Sequence, residues 1–351
     1  MYKKTMRVLM FSRDKNIFTQ GTGAYQRHQA YRGLVRNLRV IAFGKWFIKS
    51  EGDMPARPDL VVAQDPFETG LLALFYAKMC GAHLQIQIHT DFLNPLWRGE
   101  SFLNSIRAEI ARCILPRATC VRVVSHRIKR SLVAAGLAPA SRVTVIPVYA
   151  GAGREVSARE SSSPTPSVRR PSFSHTLLMV SRLVREKNIP MALEVFKRLL
   201  EQFPRAGLII VGTGPLLPRL TELVTSLGIE KNVVFEGWKN DPSSYYEGAD
   251  VFLLASDYEG YGMTLVEAAR VGCPIVSTDV GLVGELLGPA EAGIVPPRDP
   301  EALLVAIKEV LTDAPMRQAR ADSAQKRVTQ LPSWEEYLKL YQESWTLCGK
   351  N

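Results

Sequence analysis

Short apolar runs alternate along the chain with longer segments whose apolar positions fall three and four residues apart. In the first half the runs are MRVLMFS (6–12), LRVIAFG (38–44), DLVVAQ (59–64), HLQIQIHT (83–90), CVRVVS (120–125) and RVTVIPV (142–148). A second series follows with TLLMVSRL (176–183), GLIIVG (207–212), NVVFEG (232–237), DVFLLAS (250–256) and PIVSTD (274–279). Strands that alternate with helical spacers predict a parallel, doubly wound α/β sheet, and two such series predict two domains.

Between the series, SARESSSPTPSVRRPSFS (157–174) is dense in Ser and Pro and has no period, which marks a linker or an exposed insertion. Near the end, PSWEEYLKLYQESW (332–345) spaces Trp334, Tyr337, Leu338, Tyr341 and Trp345 by three and four. That spacing predicts an amphipathic helix that must pack on something, and the first domain is the candidate. The expected boundaries are 1–152, a linker at 153–175, 176–331 and a final helix over 332–351.

Composition adds little to this picture, but charge changes it. With 46% hydrophobic residues, 25 Gly and 22 Pro in 351 residues, the chain has the make-up of a globular protein with core enough for an enzyme. Residues 1–152 hold 22 Lys and Arg against 9 Asp and Glu, whereas the rest holds 22 against 25. The excess suits attraction to nucleic acid, anionic lipid or a phosphorylated substrate, and it equally suits solubilised surface helices. Cys80, Cys113, Cys120, Cys273 and Cys348 match no metal-ligand spacing and read as reduced thiols in a cytosol. No run reaches the roughly 20 apolar residues of a membrane span, so the expected location is cytoplasmic, with any membrane met from its surface. The segment 101–120 sharpens that possibility. It carries Phe102, Ile106, Ile110 and Ile114 on one stripe beside Arg107, Arg112 and Arg117, a pattern that fits membrane docking or core packing.

Candidate chemistry sits in the loops after strands. In SDYEGYGMTLVEAARV (256–271), Glu259 precedes the flexible run Gly260, Tyr261, Gly262, and a helix is predicted to begin near Met263. The N–H groups of Gly262, Met263 and Thr264 then lie at a helix N-terminus, which favours a phosphate or sugar oxygen. Glu267 reads either as a ligand anchor or as an acid complementing the helix dipole. SRLVREKN (181–188) sets Arg182 and Lys187 at the mouth of the same sheet, where a guanidinium and an ammonium suit a diphosphate; a solvated charge run is the alternative. VGTGPLLPRL (211–220) turns at Gly212 and Gly214, but Leu217 stands where a dinucleotide fingerprint needs a third glycine. QGTGAYQRHQAYR (20–32) offers Gly21 and Gly23 ahead of a helix. His89 closes a strand two residues before Asp91, and Ser125 ends CVRVVS; each also fits a structural role, Ser125 as the N-cap of HRIKRSL. The chain has no P-loop, no G-x-S-x-G elbow, no H-E-x-x-H and no Asp-x-Asp pair, so no metal site is expected and phosphate charge falls to Arg, Lys and backbone donors.

Glu259 and Glu267 in E-x7-E spacing, the Arg182/Lys187 pair, the GTGP turn (212–215) and the E-G-W segment (236–238) together resemble the retaining glycosyltransferases of family 4, which have the GT-B fold of two Rossmann-like domains facing a cleft. The likeness covers most of the second domain, including DPEALLVAIKEVL and the Trp334 helix, and is looser in the first. Where the family often has Asn-Gly-Val before the linker, this chain has VIPVYAGAG (145–153).

The resemblance implies a metal-independent transferase that moves a sugar from a nucleotide donor, UDP- or GDP-linked, to a glycan or lipid-linked acceptor on the first-domain side. It implies no cofactor and no nucleic-acid partner. Arg182 and Lys187 would hold the diphosphate, Glu267 the ribose, and Glu259 with the backbone of 260–263 the sugar. Gly212 and Gly214 would belong to the donor side, and Gly237, Trp238 and Lys239 would edge the base. Gly21 and Gly23 would approach the phosphates, His89 would lie near the transferred sugar, and Asp91 and Ser125 would stand on the acceptor side. The final helix would return to the first domain. Rival readings are a nucleotide-sugar epimerase on the same fold and a non-catalytic relative.

Overall fold

The computed structural model describes residues 6–44, 47–53, 57–149, 151 and 173–349. It divides into two compact units, one running to Ser162 and resuming at Pro332, the other spanning Ser163–Leu331. Most of the expected linker, 153–172, lies outside the described residues.

The first unit is a seven-stranded sheet of β1 (Arg7–Ser12), β2 (Asn37–Gly44), β3 (Phe47–Glu51), β4 (Leu60–Ala63), β5 (His83–Ile88), β6 (Cys120–Val123) and β7 (Val143–Val145), in the order β3-β2-β1-β4-β5-β6-β7. All neighbours are parallel except the β2–β3 pair, an antiparallel edge pair that the apolar pattern did not announce because β3, FIKSE, has only two apolar residues followed by three polar ones. The central strands are buried along their length, as expected where both faces are covered by crossover helices.

The second unit is a six-stranded parallel sheet of β8 (His175–Val180), β9 (Ala206–Val211), β10 (Val233–Gly237), β11 (Val251–Leu254), β12 (Ile275–Thr278) and β13 (Gly293–Val295), ordered β10-β9-β8-β11-β12-β13. Only β13, three residues long, escaped the sequence pattern. Its core joins β8, β9 and β11 to the helices Ile189–Leu199 and Pro300–Thr312, the latter capped by the Asp299 side chain on the Ala302 N–H.

The helix Trp334–Cys348 opens with a capping box at Ser333 and Glu336 and buries Tyr337, Tyr341 and Trp345 in the core of the first unit, as its spacing predicts. It also accounts for the two polar residues of HLQIQI. Gln85 and Gln87 are buried, and their amides are met by this helix: Tyr341 Oη donates to Gln87 Oε1 at 2.8 Å, Trp345 Nε1 to Gln85 Oε1 at 3.1 Å, and Gln85 Nε2 to Ser344 Oγ at 3.0 Å. One expectation is corrected here. Cys120 on β6 and Cys348 at the helix end are joined by a disulfide, their Cα atoms 5.6 Å apart, so the five cysteines are not all reduced thiols. The two stand 228 residues apart, and only the return of the helix onto the sheet brings them together.

Candidate functional site

In the second unit the strand order reverses between β8 and β11, the point at which open α/β sheets receive ligands beyond their carboxyl ends. The loops after those two strands carry Lys187 and Glu259. Lys187 Nζ lies 2.5 Å from Glu259 Oε1, both side chains are more than four-fifths buried, and Ser256 Oγ donates to the same oxygen at 2.9 Å. The structure does not bring Arg182 into this pair. Its side chain is exposed and reaches Glu186 Oε1 at 3.0 Å, leaving the guanidinium at the surface.

A second knot fixes the two loops in place. Asp257, almost wholly buried, accepts Asn188 Nδ2 at 3.1 Å and both Nε (3.1 Å) and Nη2 (2.6 Å) of Arg298, while its own N–H donates to the Glu186 carbonyl at 2.8 Å. Asn188 and Arg298 are the non-glycine residues with positive φ, +46° and +61°, among the described residues. A left-handed backbone is uncommon for such residues and persists where surrounding bonds hold it. Both residues bond to Asp257, which nothing in the sequence singles out beyond its place after a strand.

The helix after β11 is Met263–Arg270, entered through Gly262 at φ +89°, and no side chain caps it. The Leu265 N–H donates to the Gly262 carbonyl at 3.0 Å, while those of Met263 and Thr264 meet no side-chain cap and are left for a ligand or solvent. Glu267 is the fifth residue of the helix, past the first turn, which weakens its reading as a dipole acid; its Oε2 accepts Tyr246 Oη at 2.8 Å. Tyr261 is buried, and its carbonyl accepts the Leu282 N–H at 2.9 Å.

Gly212 and Gly214 have a structural use that the sequence left open. A Cβ at Gly212 would fall 1.9 Å from the Ser181 carbonyl oxygen, and one at Gly214 2.3 Å from that of Leu183. These glycines let the loop after β9 lie against the loop that carries Arg182, with Leu183 N–H donating to Thr213 O at 2.9 Å. After β10, Trp238 is exposed, and Lys239 pairs with Glu236 at 3.1 Å.

The first unit repeats the arrangement at its own reversal point, between β1 and β4. There a cavity of about 280 Å³ is lined by Arg13 and Asp14 after β1, Gln64 and Asp65 after β4, Arg27 and His28 from the helix Gly23–Arg32, His89, Arg122, and the Tyr337 and Tyr341 rings. Arg122 is buried. One Nη donates to the Ile146 carbonyl at 2.9 Å, the other lies 3.5 Å from His89 Nε2, and its Cζ sits 5.1 Å from the centroid of the Tyr341 ring. His89 is exposed by area yet ringed by protein. That enclosure, and then the charges of Arg122 and Arg27, lower its pKa, so the imidazole is neutral at pH 7. His28 is buried, and burial lowers its pKa despite Glu51, whose Oε2 lies 3.9 Å from Nδ1.

Of the remaining expected residues, Gly23 opens the helix beside the cavity, while Gly21 is an exposed turn glycine at φ +80°. Ser125 takes its structural role, capping Ile128 N–H at 3.3 Å, and it does not line the cavity. Asp91 is buried away from the cavity lining, and burial raises its pKa. Arg13, Arg27 and Arg122 were not singled out from sequence; Arg27, four residues after Gly23, was the one with a signal, its place just after a glycine loop.

Both units match known protein families. Residues 166–327 match the family described as glycosyl transferases group 1, and residues 16–148 match the glycosyl transferase 4-like domain. An uncharacterized glycosyltransferase of Methanocaldococcus jannaschii is 32% identical over 166 residues, 46% of this chain and 42% of that protein. The N-acetylgalactosamine-N,N'-diacetylbacillosaminyl-diphospho-undecaprenol 4-alpha-N-acetylgalactosaminyltransferase of Campylobacter jejuni is 31% identical over 153 residues, 43% of this chain and 41% of that one. The matched parts thus span less than half the length of these curated relatives. Among solved structures, Anabaena HepE in complex with UDP aligns over 99% of this chain and 100% of its own, with a TM-score of 0.71 at 15% identity. At that identity the likeness is one of fold, and it is the expected fold of two Rossmann-like units.

Proposed function

The chain belongs to the glycosyl transferases group 1 family, and on that premise we propose that it transfers a sugar from a nucleotide-sugar donor to an acceptor hydroxyl, with retention and without a metal ion. The observation that carries this reading is the buried Lys187–Glu259 pair at the β8/β11 reversal, beside the uncapped N-terminus at Met263. A cation and free N–H groups at one place suit a diphosphate, and the carboxylate suits sugar hydroxyls.

In this reading Lys187 and the exposed Arg182 neutralise the diphosphate as it leaves. Glu259 and the backbone of 260–263 hold the sugar, and Glu267, oriented by Tyr246, holds the ribose. The bond from the anomeric carbon to the phosphate oxygen breaks as the acceptor oxygen bonds to the same carbon on the same face. The acceptor proton leaves with the nucleoside diphosphate. Trp238 and Lys239 border the base, and UDP is the first donor nucleotide to try, because the HepE structure of the same fold was solved with it. The cavity of the first unit forms the acceptor side, where neutral His89 can exchange hydrogen bonds with sugar hydroxyls. Among the described residues no group of three His, Cys, Asp or Glu is placed to hold a metal, and no helix is long and apolar enough to cross a membrane. The undecaprenol-linked substrate named for the Campylobacter relative supports a lipid-linked acceptor, met at the cytoplasmic face of an anionic membrane.

Thermal-shift titration with UDP-, GDP- and ADP-sugars, followed by an assay of nucleotide release, tests this. A stabilising donor is expected, with turnover that survives EDTA and is abolished in Glu267→Ala without loss of the folded state. Wild-type turnover that vanished with EDTA would sink the metal-free mechanism.

A further inference from the structure

The helices Glu68–Cys80 and Phe102–Ile114 pack against each other in the first unit, and each is apolar on two faces. On the first, Thr69, Gly70, Ala73 and Ala77 are buried, while Leu71, Leu72, Phe75 and Met79 lie exposed on the opposite arc. On the second, Ala108, Ala111 and Ile114 face the core, while Phe102 (82% exposed), Leu103 and Ile106 face solvent. The stripe read from the sequence is therefore split: Ile114 packs inward and Phe102 and Ile106 point out. Between the helices runs an apolar groove of about 550 Å³, walled by Leu71, Phe102, Ile106 and Ile110. A helix apolar all round is buried in something, and a patch of this size on one face marks an interaction site.

Charge identifies the occupant. Lys78, Arg98, Arg107, Arg112 and Arg117 stand on these helices and the turns flanking the second, against Glu68, Glu100 and Glu109. Glu68 pairs with Arg107 at 2.7 Å, and Glu109 with Arg98 at 3.0 Å and Arg112 at 3.7 Å, so these charges largely balance one another and Lys78 and Arg117 remain outside the pairs. Lys78 and Arg117 are exposed, and residues 1–152 as a whole carry the chain's entire positive excess. Large apolar side chains rimmed by cations match the acyl and headgroup layers of an anionic bilayer, and a protein partner would not require the unit-wide charge. We propose that this two-helix face docks the protein on an anionic phospholipid membrane, inserting Phe102, Leu103 and Phe75 among the headgroups. The proposal rests on the lipid-linked acceptor reading, since it explains how such a substrate would be presented.

Flotation of the full chain with vesicles tests it, using phosphatidylcholine alone or with about one-third phosphatidylglycerol. Binding is expected with the anionic vesicles at low salt and a marked loss at high salt, because exposed charges are screened. The double variant Phe102→Glu/Ile106→Glu, at solvent-facing positions, should lower vesicle binding by about tenfold or more while donor-induced thermal stabilisation stays unchanged. Absence of flotation at low salt, equal binding to neutral vesicles, or a double variant that floats like wild type would each overturn it. So would a wild-type dimer that the double variant abolishes in the absence of vesicle binding, which would assign the face to a second copy. Donor stabilisation is read separately, so a wild type that fails to bind anionic vesicles with its donor response intact refutes the docking face alone, while a wild type without donor response refutes the transferase reading itself.

Discussion

At the reversal point of the second unit, the site residues hold one another. Lys187 grips Glu259, Ser256 supports the same carboxylate, and Asp257 ties Asn188 and Arg298. At the corresponding point of the first unit, the cavity walls are held from behind. Arg122 lies against Tyr341, Gln87 is bonded by Tyr341, and Tyr31 stacks on Tyr341 with centroids 4.2 Å apart, so one helix from the far end of the chain supports the cavity. The first arrangement keeps its geometry through charge and hydrogen bonds within the loops. The second depends on packing of a distant element.

The contrast within the donor side gives the largest effect. Removing either cation should lower nucleotide release by about 10²- to 10³-fold, the usual consequence of losing one donor aimed at developing charge. Lys187→Ala should also lower the unfolding midpoint, because it leaves Glu259 buried without its cation, at a cost of about 3 kcal/mol. Arg182→Ala, at an exposed position, should leave the midpoint where it was. Steady-state turnover and thermal melts of the two variants check this; equal melting shifts would erase the distinction between a buried pair and a surface arm.

The site of the second unit was also the more legible of the two. Its residues fall in short motifs after strongly apolar strands, and Lys187, Glu259 and the Met263 helix start stand where the motifs put them. Two things there were hidden. Asp257 is one more acidic residue in a loop until Asn188 and Arg298 converge on it, and Gly212 and Gly214 are shaped by the Ser181 and Leu183 carbonyls across a strand pair. In the first unit less could be read, since the partners are far apart in sequence. Gln85 and Gln87 look like misplaced polar residues until the final helix supplies Tyr341, Trp345 and Ser344, and Cys120 has no visible mate until Cys348 arrives beside it.

If the first unit is held by its returning helix, breaking that clasp should affect it alone. Cys348→Ser should destabilise the first unit by about 2–4 kcal/mol, the typical value for a disulfide closing a long loop. Donor-induced stabilisation of the second unit should persist. Thiol titration of the unfolded, unreduced wild type should find the three free cysteines, Cys80, Cys113 and Cys273. Five reactive thiols would remove the clasp.

A smaller change probes the same support from within the cavity. Tyr341→Phe deletes the hydroxyl that bonds Gln87 and leaves a buried amide oxygen short of a donor, which should cost about 1–2 kcal/mol in the first unit. The ring stack on Tyr31 is retained, so the cavity should keep its shape. Turnover should fall through a raised KM for acceptor with KM for donor unaltered. A change confined to donor KM would mean that the two sites are not separable as described.

The smallest expected effect is on pH dependence, where the units should again part. His28 is buried in the first unit, and its folded pKa lies below the unfolded value near 6.5 because burial outweighs the attraction of Glu51. Between those two values the unfolded chain binds the proton that the native one excludes. Stability is therefore fully present above about pH 6.5 and declines as pH falls through the window below it. His89, lowered in the same direction, adds to the decline. Melts of the first unit at about pH 7.5 and about pH 5.5 should show the loss in wild type and a smaller one in His28→Leu, with the remainder due to His89. An equal loss in both proteins would show that the buried imidazole is not the group that takes up the proton.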